Sequence, residues 1–114
     1  ASPVLKHFIL MSGYAFAHKP VLAVGVSATP VGGIRPVEDL KHTFKNARGV
    51  FMPEPIVINS VNSFALNDNV ETEHDEYIFP RVDYSLRLLE QYAKGLKIVR
   101  ESGVVDHEKF EFGM

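Results

Sequence analysis

The chain has 114 residues, 46% of them hydrophobic and 23% charged, with a formal net charge of -2 at neutral pH and no cysteine. That length holds one hydrophobic core rather than two, and the near-neutral charge gives no electrostatic reason to expect nucleic acid or an anionic membrane as partner. The missing thiols exclude a disulfide scaffold, a thiol nucleophile and a thiolate metal site.

No apolar run approaches the roughly 18 residues of a membrane span, and the first residues lack the basic-then-apolar form of a signal peptide. The sequence begins at Ala1 rather than methionine, as a processed chain or a fragment would.

Ser2 and Pro3 form a helix opening, a capping hydroxyl followed by proline at the first helical position. Val4, Leu5, Phe8, Ile9 and Leu10 follow at spacings close to those of a face packed on a sheet, and Gly13 is expected to end the helix. Pro20 to Val26 reads as a parallel strand covered on both faces, too short for a buried helix. Ser27 to Gly33 is a small-residue turn, and a second helix starts near Arg35 and Pro36. Its apolar stripe is Val37, Leu40, Phe44 and Ala47, with Glu38, Lys41, Lys45 and Arg48 on the solvent side and Gly49 as a left-handed C-cap.

Residues 50 to 58 contain two prolines ahead of the β-branched run Ile56 to Ile58, which places the second strand at about 55 to 61. Asn59, Asn62, Ser63, Asn67, Asp68 and Asn69 crowd one loop with turn chemistry. The last helix begins near Thr72 or Pro80 and runs to Glu101, with Val82, Leu86, Leu89, Ala93 and Leu96 along one stripe. Pro80 fits best in a first turn, which makes residues 72 to 79 a separate turn or a kinked lead-in. Gly103 stops the helix, and the tail 104–114 either pads its own domain or reaches a neighbouring subunit.

The order helix, strand, helix, strand, helix is that of an α/β sheet with right-handed crossovers. Two parallel strands make no viable sheet alone, so the chain reads as a single partial domain that needs further strands. A strand that empties into a glycine-containing loop feeding a helix is where open α/β sheets bind ligands. Ser27, Ala28, Thr29, Val31, Gly32, Gly33 and Arg35 are the candidate binding residues. Gly32-Gly33 also suits a plain tight turn, and Arg35 suits a nucleotide phosphate, a subunit interface or solvent equally.

Other clusters carry less. The five histidines are dispersed, and Glu71, Glu73, His74, Asp75 and Glu76 read as a solvated helix start favoured by the macrodipole rather than a metal cluster. Ser27 lacks the G-x-S-x-G elbow of a hydrolase. Tyr77, Phe79, Tyr84 and Tyr92 read as core or subunit contacts rather than a stacking platform.

The run Pro3-Val4-Leu5-Lys6, then His18-Lys19-Pro20-Val21 leading a strand, then Ser27 with Gly32-Gly33 and Arg35, then a helix carrying Leu40, resembles the C-terminal portion of the NADPH-dependent FMN reductase family. Phe64, Asp68 and the helix beyond Thr72 resemble that family's ending, so the likeness covers roughly residues 2 to 100. The sequence departs from the family's usual pattern at His7, His18, Pro36 and in the Pro30-Val31 pair of the loop. The resemblance implies a flavodoxin-like, doubly wound parallel sheet, present here without the strands and loop that hold the FMN phosphate. It implies FMN and NADPH as cofactors, hydride transfer to a small-molecule electron acceptor such as a flavin or quinone, and no protein acid or base in the chemistry. In that setting residues 27–33 would line the isoalloxazine edge. A cytoplasmic location and a homodimer or homotetramer go with the same reading; the apolar surface of the first and last helices exceeds what two strands cover. A non-catalytic flavodoxin-like fragment unable to hold FMN is the alternative.

Overall fold

In the computed structural model the described residues are 2–64, 69 and 71–110. Helix α1, Pro3–Met11, starts at proline as its sequence predicts, although the Ser2 hydroxyl makes no cap bond. It ends where Ser12 Oγ donates to the Phe8 carbonyl at 2.7 Å and Gly13 leaves the helix at φ 57. Of its expected apolar face only Ile9 is buried, while Val4, Phe8 and Leu10 stand exposed.

Both strands form, but each is divided. The first is β1, Pro20–Val21, and β2, Val24–Val26; the second is β3, Val50–Phe51, and β4, Ile56–Ile58. All pairing is parallel, β1 with β3 and β2 with β4. The second strand therefore starts earlier than residue 55 and ends before 61, and Ser60 in the left-handed region opens a short 3-10 turn, Val61–Ser63. The cause of the division is Pro53 and Pro55, which supply no ladder donor. Val21 pairs with Phe51 and Val24 with Ile56, so five residues of one strand advance against three of the other. The surplus loops out, while Met52 N–H to the Val21 carbonyl at 2.8 Å and Ile56 N–H to the Ala23 carbonyl at 3.0 Å bridge the gap.

Helix α2, Ile34–Asn46, joins the strands. Its stripe is as predicted: Val37, Phe44 and Ala47 are buried and Leu40 packs beside them. The C-cap differs. Gly49 N–H donates to the Phe44 carbonyl and Arg48 N–H to the Lys45 carbonyl, which is a Schellman closure, yet the left-handed residue is Arg48 at φ 61. Gly49 answers a packing need instead, since a Cβ there would lie 3.2 Å from both the Phe44 ring and a Val21 methyl.

Helix α3, Glu73–Glu101, is one continuous element with Pro80 inside it, so the proline does not begin it. Thr72 Oγ1 accepts Asp75 N–H at 3.0 Å and Asp75 Oδ2 accepts Glu71 N–H at 3.3 Å. This capping pair, with Glu73, Asp75 and Glu76 in the first turn, starts the helix upstream of the proline. Arg81 Nη1 donates to the Tyr77 carbonyl at 2.7 Å in the turn that Pro80 disturbs. The buried line is Asp75, Ile78 and Ser85 with Val82, Leu89 and Leu96 half-buried; Leu86 and Ala93, expected on the stripe, are exposed.

Helix α2 lies on β2 and β3 with α1 outside it, and α3 lies on β1 and β4. The core on the α2 side is Ile9, Phe44 and Ala47 with Phe16, Val21, Leu40 and Phe51 around them. Phe16 meets Phe44 edge-on at 5.3 Å. The first strand is not covered on both faces as its apolar run suggested. Gly25 faces Val37 of α2, whereas its neighbours Val24 and Val26 are 52% and 56% exposed. Residues 104–110 of the tail lie on their own domain, where Arg48 Nη2 donates to the Phe110 carbonyl at 3.0 Å.

Candidate functional site

The Ser27–Gly33 loop leaves the carboxyl end of β2 and enters α2, and the second strand's exit runs beside it. Ser27 N–H donates to the Ile58 carbonyl, Val61 N–H to the Ser27 carbonyl and Ser60 N–H to the Thr29 carbonyl, at 2.9 to 3.0 Å. Within the loop Ser27 Oγ accepts Thr29 N–H at 3.1 Å and shares a hydrogen bond with Thr29 Oγ1 at 2.8 Å. Asn59 Oδ1 accepts Gly33 N–H at 2.8 Å. The two hydroxyls are thus turned toward each other, and the loop is sewn to residues 58–61 before any ligand is considered.

Its glycines have intramolecular reasons to be glycine. A Cβ on Gly32 would lie 2.3 Å from Ser27 Oγ, and one on Gly33 would lie 2.8 Å from Asn59 Oδ1. Gly25, one turn of sheet below, would bring a Cβ to 2.0 Å from the Gly33 carbonyl oxygen. Close approach of the strand to the helix start sets all three.

What the loop leaves open is a set of backbone donors. Among the described residues nothing accepts from Ala28 or Val31 N–H, while Gly32 N–H closes the turn over Pro30 and Val31. The N-cap of α2 is Gly33, which has no side-chain cap, so Ile34 and Arg35 N–H at the helix start also lack an intrahelical acceptor. Pro36 has no N–H to add. Ala28, Pro30 and Val31 form an exposed apolar lip next to these donors, and Arg35 is exposed beside them. The seven candidate residues therefore sit on one loop and one helix start. That surface can offer hydrogen bonds to carbonyl or anionic oxygens along the edge of a flat molecule.

Sequence reading treated Asn59 as turn chemistry; its role as the clamp on Gly33 needs the second strand's position, which no local pattern carries. Asp68 lies outside the described residues, and Phe64 rests against the His74 ring with centroids 5.2 Å apart. No group of three His, Asp or Glu among the described residues could hold a metal ion. Tyr77, Tyr84 and Tyr92 are 59%, 54% and 37% exposed and so are not core. No helix among the described residues is long and apolar enough to cross a membrane.

A family model described as NADPH-dependent FMN reductase matches residues 1–62. The match takes in α1, both strands, α2 and the whole Ser27–Gly33 loop, and it stops short of α3. No curated protein and no solved structure matches the chain.

Proposed function

Because the chain belongs to the NADPH-dependent FMN reductase family, we propose that it contributes one wall of a flavin site in an oxidoreductase that moves reducing equivalents from NADPH to a small acceptor. The family carries the flavin and NADPH chemistry and fits the α/β architecture, read here as part of a flavodoxin-like sheet. FMN, when bound, supplies the hydride acceptor and donor, so the protein's part is position and electrostatics.

The observation that carries the reading is the uncapped start of α2. A flavin ring edge presents carbonyl oxygens and ring nitrogens, and the open N–H groups of Val31, Ile34 and Arg35 are donors that such an edge accepts. These residues would hold the ring edge, the Ala28-Pro30-Val31 lip would exclude water from one side, and Arg35 would place positive charge near the phosphate of a pyridine nucleotide. Asn59 keeps the loop in place by holding Gly33 N–H.

The fit covers the ring side alone. The loop's own hydroxyls are spent on each other, and no cluster of donors for a phosphate monoester accompanies it among the described residues. The phosphate side belongs to neighbouring strands along the free edge of the first strand, where the backbone groups of Leu22, Val24 and Val26 alternate away from β3 and β4. The chain by itself binds FMN weakly. We also propose self-association, supported by Val4, Leu10 and Met11 on α1 and Tyr77, Tyr84 and Leu86 on α3, all large and exposed. Sedimentation that finds only monomer contradicts that part.

The test is FMN fluorescence titration together with NADPH oxidation, on this chain and on a polypeptide that adds the family's phosphate-side strands. Weak quenching by the first, with tight quenching and FMN-dependent NADPH oxidation by the second, is expected. If the longer polypeptide neither binds FMN nor oxidises NADPH, the non-catalytic reading takes its place.

A further inference from the structure

The amino ends of the strands hold a second concave site, distinct from the loop at their carboxyl ends. It is an open groove of about 900 Å³ between the last turn of α2, β3 and residues 104–110. Its floor is apolar, with Phe51, Val99 and Val105, and its rim is cationic. Lys41, Lys45 and Arg48 line it against a single carboxylate, Asp106, and His18 and His107 add two imidazoles.

Among the described residues these charges are only partly neutralised. Lys41 pairs with Glu38 at 3.1 Å, but among the described residues no carboxylate pairs with Lys45 or Arg48. Asp106 Oδ1 accepts the N–H groups of Glu108 and Lys109, and Asp106 makes no ion pair among the described residues. The Arg48 fork meets only neutral acceptors: Nη1 donates to His107 Nδ1 at 3.0 Å and Nη2 to the Phe110 carbonyl at 3.0 Å. A guanidinium fork held by two neutral acceptors has donors to spare and no anionic partner among the described residues, and an oxyanion is the partner that its geometry matches best.

Backbone strain converges on the same place. Three described non-glycine residues have positive φ, and two of them, His18 at 54 and Arg48 at 61, line this groove. Glycine would hold either turn at less cost, so each position gives up backbone ease for a side chain that carries nitrogen donors into the groove. Arg48 is further fixed over the Tyr14 ring at 4.7 Å, and Arg100 Nη1 ties down the His18 carbonyl at 2.8 Å.

We propose that this groove is a binding site for a phosphorylated small molecule. Its phosphate lies against Arg48 and Lys45 in place of the tail's contacts, and its apolar or aromatic body lies on Phe51 and Val105. Phosphate is favoured over a carboxylate because its charge of nearly two suits two cations, Lys45 and Arg48, that meet no carboxylate among the described residues. The inference goes beyond the flavin reading and does not depend on it.

The probe is inorganic pyrophosphate, titrated into the isotope-labelled chain and followed by backbone amide NMR. Saturable shifts are expected at His18, Arg48, Gly49 and Val50, with the amides of Ser27 to Gly33 unmoved. Arg48→Gly keeps the turn, since glycine accepts φ 61, and should bind at least tenfold more weakly; Lys45→Gln should weaken binding severalfold. Absence of saturable shifts at those four amides overturns the proposal. So does equal affinity in Arg48→Gly with a native-like spectrum, or a response centred on residues 27–33.

Discussion

The two ends of the strand pair solve opposite problems. At the carboxyl end the chain uses glycine at Gly25, Gly32 and Gly33, because backbone and side-chain oxygens of the same chain crowd each Cβ position. At the amino end the left-handed turns fall to His18 and Arg48, although glycine suits such turns better. One end gives up side chains so that strand, loop and helix can close on each other; its unused chemistry is backbone N–H. The other end accepts backbone strain to keep side chains, and its unused chemistry is positive charge. A glycine or its absence therefore says which kind of group, backbone or side chain, an end has to offer.

Substitutions can break this contrast, and the largest effect belongs to Gly25. In Gly25→Ala a methyl would meet the Gly33 carbonyl oxygen at 2.0 Å, and backbone on backbone has little room to yield. Overpacking of this kind costs about 3 kcal/mol or more, and urea denaturation should show much of the chain unfolded without denaturant. Ile9→Ala removes the most buried side chain of α1, 1% exposed, and should cost about 2 to 4 kcal/mol in the same measurement.

Asn59→Ala removes the acceptor of Gly33 N–H and should cost about 1 to 2 kcal/mol, with its spectral changes confined to the Ser27–Gly33 loop and the start of α2. Arg48→Gly should be nearly neutral, within about 1 kcal/mol, because relief of the left-handed strain offsets the lost contacts of the guanidinium. A large loss of stability in Arg48→Gly would show that the amino-end turn is structural and not kept for its side chain.

The smallest effect lies on the surface between α1 and α2. The Lys6 ammonium, 2.6 Å from Asp39, holds that carboxyl below its ordinary value of 3.8. A depressed folded-state value stabilises the fold above the unfolded-state range and loses that contribution as pH falls through the folded value. A carboxyl NMR titration should place the Asp39 midpoint below 3.8 and raise it in Lys6→Met. An unchanged midpoint in that variant would remove the ion pair from the account.

Much of this was legible in the sequence because it is local. The stripe of α2, the proline start of α1 and the order of elements follow from spacing and from residue conformational preference. The misreadings share a different cause. Of the two helix starts that the sequence offers, Thr72 and Pro80, the proline fits a first turn better, but Thr72 caps the helix eight residues upstream and a capped, acidic first turn carries it through the proline. Gly49 reads as the left-handed cap, but Arg48 takes that conformation, and a Cβ on Gly49 would crowd both the Phe44 ring and a Val21 methyl from another element. The division of both strands follows from where Pro53 and Pro55 meet the partner strand, a register that single-strand patterning does not contain. The candidate loop was legible as a strand-to-helix turn, whereas its clamp by Asn59 and the basic groove both assemble from segments far apart in sequence.

The central claim, that the Ser27–Gly33 loop and the start of α2 face a flavin ring, is tested most directly by adding riboflavin, which has the flavin ring and no phosphate, to the isotope-labelled chain and following backbone amides. The account predicts concentration-dependent shifts led by Val31, Ile34 and Arg35, weak but saturable, with His18, Arg48 and Val50 unmoved by a ligand that carries no phosphate. Shifts absent from those three amides at saturating riboflavin, or led by the opposite end of the strands, would contradict it.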